Sequence, residues 1–183
     1  MDQSSRPESA HPDGPDPNYR EGMTTDTLHR IPTRLDVDAA VPTFSKAMSH
    51  LDTSATRELD RVDFPAGLRD LVRLRASQLN GCAYCVDMHG TDAATAGESA
   101  QRINAVAIWR ESPFFTERER AALAFTEAVT LVASTRVPVE EYDAVAAHWS
   151  PDEVGALLAL IVAINAWNAI AVATRAWEPV LAD

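Results

Sequence analysis

Asp70-Leu-Val-Arg-Leu-Arg-Ala-Ser-Gln-Leu-Asn-Gly-Cys82-Ala-Tyr-Cys85-Val-Asp-Met-His89 joins the end of one helical pattern to the start of another and carries two cysteines, a histidine and an upstream carboxylate. Pro65 just upstream is a helix opener, and Leu68, Leu71, Val72 and Leu79 recur on one side of the helix that follows. Asn80-Gly81 is a break signal. The cysteine motif therefore begins a new helix, which runs to about Ala96 with Gly97 as its C-terminal cap. Each helical residue advances about 100°. With Cys82 at zero, Cys85 falls at about 300° and His89 at about 340°, so all three share one stripe. Asp70 lies on the preceding helix, and antiparallel packing of the two helices would turn its carboxylate toward the same pocket. Arg73 and Arg75 bring positive charge nearby, but their spacing sets them on different faces and neither is given a direct role.

Cys82 and Cys85 are the only two cysteines in the chain. Three residues apart, they cannot form a structural disulfide framework, and in a cytosolic setting the spacing reads as redox or metal chemistry. The pair can close into a disulfide without large backbone movement. One sulfur can attack an oxidant and become a sulfenic acid, which the other resolves. His89, at i+4 from Cys85, can take the thiol proton directly or through a water. The helix N-terminus favours Cys82 as the more acidic thiol. Three other readings compete. One is a pair of inert buried cysteines with a surface histidine. A second is a structural zinc site, which needs a fourth ligand from Asp70, His50 or His148; ligands at i, i+3 and i+7 on one helix splay too far to chelate easily. The third is a thioredoxin fold, whose motif follows a strand in a βαβ unit. No metal and no cofactor is expected.

Outward from this stretch, the pattern stays helical. Phe44, Ala47, Met48 and Leu51 predict a first helix near residues 39–57, and Ser99 to Trp109 predicts another. Thr116-Glu-Arg-Glu119 and Ser150-Pro-Asp-Glu153 are capping boxes that start helices at about 117–134 and 151–176. A shorter helix follows Pro138. No alternating run or hairpin signal marks a strand, so the fold class is all-α. Residues 1–30, with Pro7, Pro12, Pro15 and Pro17 among polar residues, read as a disordered extension, and 31–183 as the helical domain. Met23 is a candidate alternative start. The apolar run Gly155–Thr174 is long enough to cross a bilayer. Asn165 and Asn168 interrupt it, and it reads instead as a core helix or one buried between subunits. A homo-oligomer is expected on that ground. The net charge of −11 argues against nucleic acid as a partner. The absence of a signal-peptide pattern leads to a cytoplasmic expectation. Trp109, Trp149, Trp167 and Trp177 read as core or interface anchors. Asn165 and Asn168 need hydrogen-bond partners, across a subunit interface or in the pocket.

The segment 71–89, together with Ile164-Asn-Ala-Trp-Asn-Ala-Ile-Ala-Val172, resembles the alkylhydroperoxidase AhpD-like group of the carboxymuconolactone decarboxylase superfamily. That group's pattern is a Glu, eleven residues, Cys-x-x-Cys, three residues and a His. The resemblance implies an AhpD-like helical fold that assembles as a homotrimer or homohexamer. It implies a thiol-dependent peroxidase that reduces organic hydroperoxides and is recycled by a dithiol, thioredoxin-like or lipoyl reductant. By position, Cys85 attacks the peroxide, Cys82 resolves, and His89 with Asp70 relays the proton. This reverses the helix-dipole argument, and the resemblance is followed because His89 stands closest to Cys85. Two departures stand out. Asp70 replaces the usual Glu with a shorter side chain. Tyr84, with an ordinary pKa of about 10, stands where the peroxidase branch has a histidine. The alternatives carried forward are a lactone-decarboxylase-like enzyme and a non-enzymatic dithiol redox sensor.

Overall fold

A computed structural model describes residues 29–180. The expected disordered extension, and the alternative start at Met23, fall almost entirely outside the described residues. Among the described residues every regular element is helical.

Asp36 caps α1 (Val37–Ala40), its Oδ1 accepting from the backbone N–H of Asp38 and Ala39, each at 3.1 Å. Val41, at φ −138°, then breaks the helix, and Pro42 takes the first position of α2 (Pro42–Arg61). The helix expected at 39–57 is thus two helices. The second runs longer because no breaker intervenes before Pro65 and Arg61 is held by Glu58 and Asp152. α3 (Ala66–Asn80) and α4 (Ala83–Thr95) form a helical hairpin, turning through Gly81 at φ 69°, ψ 32°, a conformation that favours glycine. At Gly67, near the start of α3, a Cβ would stand 2.1 Å from Glu98 Oε1 and would displace that carboxylate.

Ser99 caps α5 (Ala100–Ala105), accepting from Arg102 N–H at 3.2 Å. The helix expected to reach Trp109 tightens instead into a 3₁₀ segment, Val106–Glu111, kinked at Ile108. Both capping boxes form, starting α6 (Glu117–Thr130) and α9 (Pro151–Thr174). The expected 117–134 helix is interrupted at Leu131, leaving a single-turn α7 (Val132–Thr135). α8 (Val139–His148) follows Pro138 as expected. α9 stops at Thr174 because Arg175 adopts a left-handed conformation.

α9 packs against α2, α3 and α6, and Leu157, Leu160 and Ile161 lie fully buried at its middle. It is long and apolar enough to cross a membrane by length and composition. In this fold its apolar residues meet Leu71 and Val72 of α3 and Leu123 and Phe125 of α6 in one core. Trp149 stacks on Phe64 with ring centroids 4.7 Å apart. Trp109 donates from its indole N–H to Glu127 Oε1 at 2.9 Å. Glu127 also accepts from Arg75 at 2.7 Å and from Arg110. Arg75 therefore serves the scaffold.

Of the residues whose spacing marked α2, only Met48 is buried; Phe44, Ala47 and Leu51 face outward, because α2 packs through Met48, Ala55 and Leu59. One sequence expectation is corrected here: Asn165 and Asn168 neither wait for another subunit nor line the pocket. Asn80 Nδ2 donates to Asn165 Oδ1 at 2.7 Å and to Asn168 Oδ1 at 2.9 Å. Asn168 Nδ2 donates to Ser77 Oγ at 3.1 Å, and Asn165 Nδ2 donates to Thr130 Oγ1 at 3.1 Å. This buried chain ties the end of α3, just before the cysteine turn, to α9 and α6.

Candidate functional site: a closed cysteine pair beside a buried histidine

Cys82 is the N-cap of α4, and its Sγ accepts from Cys85 N–H at 3.3 Å. One helical turn brings the two sulfurs together, and they are joined as a disulfide with Cα atoms 5.3 Å apart. Both are buried, among Ala171, Tyr84 and Trp177. A cavity of about 310 Å³ opens beside them. Cys85 and His89 are on its wall, and Cys82 is not among the lining residues. Of the three residues expected on one stripe, Cys85 and His89 share the cavity wall, and Cys82 lies off it, joined to Cys85.

His89 is 6 % exposed, and neither ring nitrogen has a hydrogen-bond partner. Asp92 Oδ2 approaches Nδ1 only to 3.5 Å, at the outer limit of a hydrogen bond. Burial pushes the imidazole pKa down to about 4, helped by the positive charge of Arg73 and opposed by Asp92. His89 is thus neutral at pH 7 and keeps a lone pair free to accept a proton.

The helical hairpin brings Asp70 to the same place: carboxylate and imidazole ligand atoms of Asp70, His89 and Asp92 all lie within 4.8 Å of one another. Burial raises Asp70's carboxyl above the ordinary aspartate range, while the Arg73 guanidinium, 3.1 Å away, pulls the other way. Arg73 itself lines the cavity. Sequence reasoning passed it over by weighing it against Arg75. The usable signal was its i,i+3 spacing from Asp70, which puts the two on one face. Asp52 of α2, also on the wall, left no motif to find. Trp167 and Trp177 line the cavity too, whereas Trp109 and Trp149 are core residues, so the four tryptophans expected as anchors divide into two pairs.

By distance and donor type, Asp70, His89 and Asp92 are the residues among those described that could hold a metal ion. Arg73 already occupies Asp70 and would repel a cation. His50 and His148, considered as a fourth zinc ligand, are not in this cluster. The thiols are engaged with each other. The arrangement can do two things: exchange between disulfide and dithiol, and move a proton among Cys85, His89 and Asp70 beside a fixed positive charge.

An all-helical fold with a Cys-x-x-Cys pair at a helix start and a histidine one turn on defines the AhpD-like class. The chain belongs to the carboxymuconolactone decarboxylase family, whose model matches residues 42–128, and it is an AhpD-like member of that superfamily. The matched span holds Asp70, Cys82, Cys85 and His89 but neither cavity tryptophan. YdfG of Bacillus subtilis, an uncharacterized protein, is 44 % identical over 105 residues, or 57 % of this chain and 71 % of the relative. A protein of unknown function from Agrobacterium tumefaciens, a candidate AhpD antioxidant-defence protein, is 39 % identical with a TM-score of 0.76. Its whole length is covered, against 82 % of this chain. The debrominase Bmp8 shares the fold at 22 % identity and a TM-score of 0.62, covering 77 % of this chain and 74 % of its own.

Proposed function

We propose that the protein is a thiol-dependent peroxidase that reduces organic hydroperoxides. The observation that carries this reading is the Cys82–Cys85 pair with its second cysteine on the wall of a cavity shared with a buried His89 and with Arg73. In the dithiol state Cys85 gives its proton to His89, and the thiolate attacks the terminal peroxide oxygen. The O–O bond breaks as the S–O bond forms, and the departing alkoxide takes the proton back from His89. The products are an alcohol and a Cys85 sulfenic acid. The Cys82 thiol then displaces water from that sulfenic acid and closes the disulfide. An external dithiol, thioredoxin-like or lipoyl, returns the pair to thiols by exchange.

Arg73 stabilises the thiolate, as cationic neighbours do for reactive cysteines. Asp70, through its pairing with Arg73 and its approach to His89, orients both and buffers the proton. The decarboxylase-like alternative is less favoured because it has no use for the dithiol, and the sensor because it has no use for a substrate-sized cavity beside it. The same reading includes a cytoplasmic setting and assembly as a homotrimer or homohexamer. Support for assembly comes from the exposed Phe44 and Leu51 of α2 and Leu158 and Val162 of α9. Light scattering at micromolar concentration should give a mass of three or six chains.

The direct test is cumene hydroperoxide consumption with dihydrolipoamide as reductant. Repeated turnover, abolished in Cys85→Ser, is expected. One round of disulfide formation with no turnover under any reductant would favour the sensor, and thiols inert to hydroperoxide would refute the proposal.

A further inference from the structure

Trp177 reaches the cavity from outside the helices. The left-handed turn at Arg175 (φ 51°, ψ 39°) redirects the chain as α9 ends, and Ala176 N–H donates to Thr174 Oγ1 at 3.2 Å. The indole is thereby laid against the Cys82–Cys85 disulfide. Its ring centroid is 5.9 Å from that of Tyr84, at an interplanar angle of 35°. It is 5.8 Å from that of Trp167, at 69°. Met88 and Ile164 add flexible and branched surface to the same wall, and Tyr84, Trp167 and Trp177 make the larger, flat-faced share of the non-polar lining beside Cys85.

The two core tryptophans show what a purely structural role looks like here. Trp109 and Trp149 are 4 % and 3 % exposed, and each indole N–H is satisfied, by Glu127 Oε1 and Arg118 O. Trp167 and Trp177 are only half-buried, and both face the open cavity. At about 310 Å³ the space lies at the low end of ligand pockets, roughly 300–1,000 Å³. It suits a body of about one ring and is far too small for a protein side.

We propose that this cavity takes ligands with an aryl group, held edge-on or offset against Trp177, Trp167 and Tyr84, and thereby selects aryl-bearing hydroperoxides. The substrate class rests on the thiol-peroxidase reading; the aryl preference of the cavity does not. Hydrogen peroxide can use Arg73 and His89 but gains nothing from the aromatic wall. A tert-butyl group fills space without ring-to-ring contact. Two aromatic contacts of ordinary strength give discrimination on the order of ten-fold or more.

The experiment has a binding arm and a turnover arm. In the first, 2-phenyl-2-propanol and tert-butanol are titrated into the oxidised, full-length protein, followed by the indole N–H resonances of Trp167 and Trp177. The aryl alcohol is expected to bind at least ten-fold more tightly and to shift both resonances, and Trp177→Leu should remove most of that advantage. Equal binding of the two alcohols, or an advantage untouched by Trp177→Leu, would overturn the proposal. The wild-type comparison stands without the variant. In the second arm, kcat/KM is measured for cumene, tert-butyl and hydrogen peroxides. A cumene preference that falls about ten-fold in Trp177→Leu supports the substrate class; no preference overturns it. Aryl binding without turnover of any peroxide would sink the peroxidase reading and leave the aryl cavity standing.

Discussion

Lowering the pH from 7 to 5 should weaken the fold through His89. Its folded pKa is pushed down to about 4 from 6.5 in the unfolded chain, because protonation places a charge in a buried site beside Arg73, which Asp92 offsets only in part. A depressed histidine pKa means that the unfolded state binds the proton first. The stabilisation is therefore present above pH 6.5 and is lost as pH falls from 6.5 toward 4. The full difference amounts to about 3 kcal/mol, of which about 2 kcal/mol disappears between pH 7 and pH 5. Asp70, whose carboxyl burial raises above the ordinary aspartate range, works in the opposite sense as pH falls, and it is present in the variant as well as in wild type. Glu119, Glu127 and Glu153, whose carboxyls are held below the ordinary glutamate value, lose their contributions mainly below this interval. The assay is urea unfolding of the oxidised protein at fixed concentration, comparing wild type with His89→Gln. Wild type should lose about 2 kcal/mol more than the variant across that interval. Parallel pH profiles for the two proteins would refute the claim that His89 is buried as a neutral imidazole.

Other consequences follow from named contacts. Glu127→Ala should destabilise by about 3 kcal/mol, because Arg75 and the Trp109 indole lose their shared acceptor in a largely dry site; chemical denaturation reads it. Asn168→Ala should cost about 2 kcal/mol by leaving Ser77 and Asn80 short of a partner, which chemical denaturation also reads. Arg73→Gln should raise the His89 titration seen by imidazole NMR, since the guanidinium is one of the forces holding it down. The same variant, once reduced, should react several-fold more slowly with iodoacetamide at pH 7.

What the sequence made legible was whatever rests on local physics. The capping boxes at Thr116 and Ser150, the Asn80-Gly81 break and the stripe of Cys82, Cys85 and His89 depend on residues within one or two turns of each other. Helix ends that depend on packing were not legible. Leu131 and Ile108 interrupt patterns that look continuous, and only the tertiary structure requires those breaks. The outward turn of Phe44 and Leu51 was hidden for a related reason, since periodicity locates an apolar stripe but not the neighbour it meets. The residues that complete the site come from four separate places: Asp52 on α2, Arg73 on α3, Trp167 on α9, and Trp177 beyond it. A motif read along one helix cannot announce partners that only folding brings to it. Asn165 and Asn168 were correctly marked as needing partners, yet Asn80, Ser77 and Thr130 supply them from within the chain.

The central claim is that Cys85 is the sulfur that meets the peroxide. It is tested most directly by treating reduced Cys82→Ser and Cys85→Ser proteins with one equivalent of cumene hydroperoxide in the presence of dimedone, followed by intact and peptide mass spectrometry. A single dimedone adduct on Cys85 in Cys82→Ser, with none on Cys82 in Cys85→Ser, is the predicted result. An adduct on Cys82 alone would contradict the account and hand the nucleophile's role to the helix-capping thiol; no adduct on either would remove peroxide chemistry from this site.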